Sequence, residues 1–139
     1  MMEGTVNWMA VLVAVVANMA LGFSWYSPAM FANEWIKLMG WDIKKMKKPS
    51  SDEMTKSMIG GVVSSGLMAY VLSHFADYVG ANTWMLGLQL GFWVWLGFIA
   101  TVNIGIVLWE RKPCKLFLIN TGYWLVSLLM MGAIIGGWQ

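Results

Sequence analysis

Few residues in this chain of 139 could do chemistry, and they are mostly amides. His74 is the only histidine, so a histidine pair for a metal or a bis-histidine haem is excluded within one copy, and its place near the end of an apolar run fits an interfacial histidine. Cys114 follows Pro113 beside Lys115, where a cation favours the thiolate, but no histidine or acid is arranged around it and an inert juxtamembrane thiol is the simpler reading. A single cysteine also excludes an internal disulfide. No metal-ligand set, cofactor motif or catalytic constellation is visible, and the chain reads as a non-enzyme. What remains is Asn18, Gln89, Asn103 and Asn120, each in apolar surroundings. Asn103 and Asn120 lie at similar depth, about 8 to 9 Å from the nearer ends of their segments at roughly 1.5 Å per residue. Gln89 is two heptads before Asn103, within about 40° on the same helix face. Amides so placed either pair between helices, at on the order of 0.6 kcal/mol per contact, or line a polar cavity face; both uses stay open.

The elements that position these amides belong in a membrane. Hydrophobic residues make up 59% of the chain and charged ones 12%, against about 25% charged in soluble domains, and the mean hydropathy is +0.64. From Thr5 to Tyr26 there is no ionisable acid or base, and about 22 residues at roughly 1.5 Å each cross a hydrocarbon layer of about 30 Å. Further spans are expected at about 57–75, 84–108 and 115–138. The expected fold is all-α, a four-transmembrane-helix bundle in one domain, with an interfacial amphipathic helix between spans one and two, over Ala29 to Trp41 and ended by Gly40. Ser51 or Asp52 is expected to cap the second long helix. Only Glu3 is charged before Thr5, unlike a secretory signal, so the first span is expected to be retained.

Small residues mark the helix contacts. Ala14, Asn18, Gly22 and Tyr26 follow at four-residue spacing, as do Ser57, Gly61 and Ser65, and Gly132 and Gly136. Ala14, Gly22, Gly61, Ser65, Gly132 and Gly136 are therefore the predicted packing positions. No span carries Asp, Glu, Lys or Arg in its interior, whereas a proton-coupled carrier holds an ionisable group at mid-membrane; here that depth is occupied by Asn18, which does not titrate.

Charge gives the topology. With four spans, all nine basic residues fall on one face, in the loop after span one and the loop after span three. The positive-inside rule then puts both termini outside the cytoplasm. Lys44, Lys45, Lys47 and Lys48 either only orient the chain or also attract anionic lipid, at about 1 kcal/mol per basic residue near the surface. Membrane lipids are the expected partners, with several copies assembling, since four short helices enclose little interior, and a further membrane protein as a possible associate. Nothing supports a nucleic-acid partner.

Around Asn7-Trp8, Asn18, Gly22, Trp25-Tyr26-Ser27-Pro28, Phe31 and Trp35, and more loosely at Gly91-Phe92-Trp93 and Ile119-Asn120-Thr121-Gly122-Tyr123, the chain resembles the bacterial domain of unknown function (DUF) 1761 family of small integral membrane proteins. The resemblance implies a bacterial integral membrane protein of about four spans and brings no activity, substrate or catalytic residue; the expected place is the bacterial inner membrane. Two functions from different classes follow from the residues. One is a passive or facilitated pathway for a small or lipophilic molecule, lined by Asn18, Asn103 and Asn120. The other is a structural or accessory protein that binds lipid or a larger membrane complex through its basic loop and tryptophan-rich surface.

Overall fold

A computed structural model describes residues 6–45 and 50–138; Lys47 and Lys48 lie outside the described residues. Four helices are long and apolar enough to cross a membrane, and no strand occurs among the described residues. Helix α1 (Trp8–Trp25) is the first. A short α2 (Ala32–Leu38) follows, then α3 (Ser51–Val79). The third span, Trp84–Leu108, is α4 (Trp84–Val94), a π-helical stretch (Trp95–Ala100) and α5 (Thr101–Leu108). The last is α6 (Cys114–Gly137).

Local sequence chemistry sets the ends. Asn7 caps α1 by accepting from the Ala10 N–H at 3.2 Å and donates its own amide to the Trp138 carbonyl at 2.6 Å, which ties the start of α1 to the end of α6. Ser50, one residue before the expected cap, starts α3 through a capping box with Glu53, because its hydroxyl reaches the amide three residues on. Gly80 ends α3 at φ +73, a left-handed conformation open to glycine at little cost. At 29 residues α3 measures about 43 Å, so its first turns, with Asp52, Glu53 and Lys56, stand clear of a hydrocarbon layer of about 30 Å. The interfacial segment is shorter than the sequence suggests. Around Ser27-Pro28 the chain makes a turn, with the Met30 and Ala32 amides both donating to the Ser27 carbonyl, and this delays α2 to Ala32.

Helix α6 is the hub, packed against α1, α3 and α4. It runs antiparallel to α1, as the pairs Asn7 with Trp138, Asn18 with Ser127 and Trp25 with Ile119 require. It also runs antiparallel to α4, where Gly87 and Gly91 face Gly132, Gly136 and the Leu128 backbone. There the two backbones touch. A Cβ on Gly87 would collide with the Gly132 carbonyl oxygen, and one on Gly136 would sit 2.9 Å from the Gly87 Cα. Helix α3 is antiparallel to α1, with Trp8 stacked on Tyr70 at 5.6 Å and Asn18 joined to Ser65. The core is small or flexible: Ala14, Ala69, Leu72, Leu128, Met131 and Ile135.

This pairing brings the C-terminal ends of α1 and α5 and the N-terminal ends of α3 and α6 to one face. All the described basic residues, Lys37, Lys44, Lys45, Lys56, Arg111, Lys112 and Lys115, belong to it. Glu34 of α2 pairs with Lys115 at 2.9 Å across that face, a half-exposed contact contributing at most about 1 kcal/mol.

Glycine substitutions separate contact from propensity. Gly87→Ala is expected to lower stability by about 1–3 kcal/mol, the usual cost of overpacking, because backbone atoms block the new methyl. Gly60→Ala, whose Cβ meets nothing within 4 Å, is expected to be neutral or to stabilise by up to about 1 kcal/mol. Denaturant-induced unfolding of the two variants in the same detergent measures both signs.

Candidate functional site

The buried polar groups converge on one amide. Asn18 lies near the middle of α1 at 2% exposure, on the face that α3 and α6 cover. Its Nδ2 donates to the Ser65 hydroxyl of α3 at 2.6 Å. Its Oδ1 accepts from two hydroxyls of α6, Tyr123 at 3.0 Å and Ser127. One side chain thus joins three helices, and among the described residues no buried side-chain nitrogen or oxygen lacks a hydrogen-bond partner. Small positions make room for it. The Tyr123 oxygen lies 3.1 Å from where a Cβ on Gly22 would stand, and the Trp25 ring 3.4 Å from where one on Gly122 would.

Toward the basic end the same stripe becomes aromatic. Trp25 donates its indole N–H to the Ile119 carbonyl at 3.0 Å, and the Tyr26 hydroxyl donates to the Asn120 Oδ1 at 2.8 Å. The Tyr26 ring meets Tyr123 at 5.5 Å and Trp35 at 5.7 Å, both edge to face, which locks the turn after α1 against α6 and α2. Between α1 and the first half of α3 a cleft of about 290 Å³ opens beside this cluster, with Met19, Phe23, Met54 and Met58 as apolar walls and Tyr26, Tyr123, Asn18 and Ser57 as polar groups. A second cleft, of about 380 Å³ between α3, α4 and α6, has Ser64 as its one polar side chain. It has little with which to orient a ligand.

The four predicted polar residues do not form one face. Asn103 donates to the Ile99 carbonyl of its own helical stretch at 2.8 Å and does not reach Asn120, whose partner is Tyr26. Gln89 is exposed, on the side of α4 away from the Gly87 and Gly91 contact, and lines two further clefts with Trp93, of about 320 and 550 Å³. Equal depth along two helices did not fix their rotation, and the close glycine contact turns Gln89 outward. A continuous polar path from Asn18 through Asn103 and Asn120 is therefore corrected to one buried hub and a separate Tyr26–Asn120 pair. Of the predicted packing positions, Ala14 is fully buried, Gly22 faces Tyr123, a Cβ on Gly61 would stand 3.3 Å from the Met19 methyl, and Ser65 bonds Asn18. Gly132 and Gly136 meet α4. Lys44 and Lys45 lie in an exposed turn after α2. The sequence names Tyr123 only within the stretch that carries the family resemblance, and Ser127 not at all. The signal for them was their four-residue spacing, which puts both hydroxyls on one face of α6.

A family model described as "Protein of unknown function (DUF1761)" matches residues 9–136. No curated protein and no solved structure matches the chain.

Replacing Asn18 with Leu leaves three hydroxyls, of Ser65, Tyr123 and Ser127, without their shared partner. The expected loss is about 1–3 kcal/mol, because a buried polar group stripped of its partner costs more than the bond contributes. A double-mutant cycle of Asn18→Leu with Ser65→Ala, followed by unfolding in detergent, is expected to show coupling of at least about 0.6 kcal/mol; additive effects would show that the amide and hydroxyl act independently.

Proposed function

The chain belongs to the DUF1761 family, and from the cleft beside its buried hub we propose that it binds a lipophilic molecule drawn sideways from the bilayer. The observation that carries this reading is the pairing of apolar walls with a small group of polar residues in one open cleft between α1 and the first half of α3, toward the basic end of the bundle. Ligand sites have this composition, mostly apolar with a few fixed polar groups, and about 290 Å³ lies just below their usual range of about 300–1,000 Å³, which fits a small ligand. Most of the cleft's lining is apolar, Met19, Phe23, Met54 and Met58 among it, which favours a lipophilic ligand over a water-soluble one.

The orientation we propose puts the basic face in the cytoplasm of a bacterial inner membrane and both termini outside. It rests on the clustering of Lys37, Lys44, Lys45, Lys56, Arg111, Lys112 and Lys115 at one end. Assembly of several copies would use the third span, whose most apolar stretch is only 6% buried within one copy.

Two measurements test these readings. A photoreactive dodecyl diazirine, added to the protein in nanodiscs and activated by light, is expected to label peptides containing Met19 to Tyr26 and Met54 to Met58, and Ser57→Trp, which fills the cleft, is expected to abolish that labelling. Labelling spread evenly over the lipid-facing helices and unchanged by Ser57→Trp would refute the site. For orientation, the free and exposed Cys114 is expected to react with an impermeant maleimide in inverted vesicles and to stay unlabelled in intact spheroplasts; the reverse pattern would invert the topology.

A further inference from the structure

The third span carries a polar side chain that the fold leaves without a partner, and what surrounds it points to its occupant; the inference deepens the assembly reading above. Gln89 is exposed on the side of α4 opposite the Gly87 and Gly91 contact, and among the described residues nothing in the chain bonds to its amide. It lies five residues into the span, about 7 to 8 Å along the axis, and Trp93, one turn further on, comes within about 5 Å of the middle of a span about 37 Å long. A primary amide carries two donor hydrogens and two acceptor lone pairs, and hydrocarbon satisfies none of them. Trp93 is out of place in the same way. Lipid-facing tryptophans gather at the membrane surfaces, and this one is 65% exposed at depth.

Gln89 and Trp93 both line two clefts, one of about 320 Å³ toward Gly80 and Ala81 of the α3–α4 connection, the other of about 550 Å³ toward Leu129 of α6. Residues that border two hollows form the ridge between them. Such a ridge is complementary to itself, because a two-fold axis along the membrane normal seats each ridge in the same hollow of the other copy and brings equal depths together. The chemistry is self-complementary too. One amide offers both N–H and C=O, so two glutamines at one depth satisfy each other with a reciprocal pair of hydrogen bonds, which a lipid tail cannot supply. No charged side chain lines either cleft, so nothing there repels a second copy or calls for an ionic partner. We infer that Gln89 and Trp93 form the contact face of a homodimer, with the two Gln89 amides bonded to each other and each Trp93 ring seated in the larger cleft of the other copy.

The test follows association in the membrane. The full chain is labelled at its exposed Cys114 with donor or acceptor maleimide and reconstituted into liposomes over a range of protein-to-lipid ratios, and energy transfer reads dimer formation. The wild type is expected to dimerise. Gln89→Met keeps the length of the side chain and removes the amide, and is expected to associate about sevenfold more weakly, the factor for two interhelical hydrogen bonds of average strength. Trp93→Ala is expected to weaken association as well. Contact is read separately in a Cys114→Ser background. Met85→Cys, one turn before Gln89 on the same row, is expected to crosslink under copper phenanthroline, and Leu12→Cys, exposed at a similar depth on α1, to stay monomeric. Wild-type affinity in Gln89→Met overturns the amide pairing. Wild-type affinity in Trp93→Ala, or crosslinking at Leu12 in place of Met85, overturns the face while leaving assembly standing. No energy transfer at any ratio overturns assembly and this contact together. The cleft between α1 and α3 belongs to other helices, so its photolabelling stands or falls separately.

Discussion

Helices in hydrocarbon have no hydrophobic reason to associate, because lipid tails are as apolar as leucine. Everything in this bundle depends on how α6 solves that problem, and it does so differently on two sides. Against α4 it uses approach: Gly87, Gly91, Gly132 and Gly136 remove the side chains that would hold the backbones apart, so van der Waals contact is made along the main chain itself. Against α1 and α3 it uses polarity, with Tyr123 and Ser127 meeting Asn18, and Asn18 meeting Ser65. The two solutions tolerate change differently. A glycine contact fails by collision when an atom is added, whereas a polar hub fails when an atom is removed and its partners are left dry.

The division explains the shape of the molecule. Helices α1 and α4 each lie antiparallel to α6, and α3 reaches the bundle chiefly through α1 and the hub, touching α4 little. Two consequences follow. Helix α3 diverges from its neighbours on both flanks, leaving the apolar cleft toward α4 and the mixed cleft toward α1. Its hold on the bundle is concentrated around Ser65, Ala69, Leu72, Ser73 and Ala76, the buried positions from its midpoint onward, with the mixed cleft beside its first half and the apolar cleft beside its second.

Much of this was legible in the residues. Four spans, the grouping of all the basic residues and the small-residue stripes follow from the length of apolar runs and from four-residue spacing, both properties of a single helix. What was not legible is the rotation of one helix against another. Asn103 and Asn120 lie at comparable depth and yet bond elsewhere, to Ile99 and Tyr26, because depth counts residues along an axis and says nothing of azimuth. Gln89 illustrates the same limit: its heptad relation to Asn103 holds along the third span only while the helix stays regular, and the π-helical stretch from Trp95 to Ala100 lies between them and alters the count of residues per turn. The partner of Asn18 was hidden for another reason. Tyr123 and Ser127 are ordinary residues in a helix rich in aromatics and small polar groups, and they acquire meaning only once Gly22 admits the tyrosine oxygen.

An amide at the hub also decides what kind of site can stand beside it. A carboxylate there would change charge with its proton, and the hydroxyls around it would reverse direction each time. Asn18 holds one polarity, its Oδ1 accepting from Tyr123 and Ser127 and its Nδ2 donating to Ser65, so the Tyr123 hydroxyl is kept pointing into the hub. The Tyr26–Asn120 pair repeats the arrangement one turn nearer the basic face, where Trp35 closes over the ring. Two phenol rings are thereby fixed in space by bonds that the fold makes for its own stability. Because those bonds are complete without a ligand, occupancy of the cleft adds a contact rather than repairing one, and binding there need not alter how the helices pack.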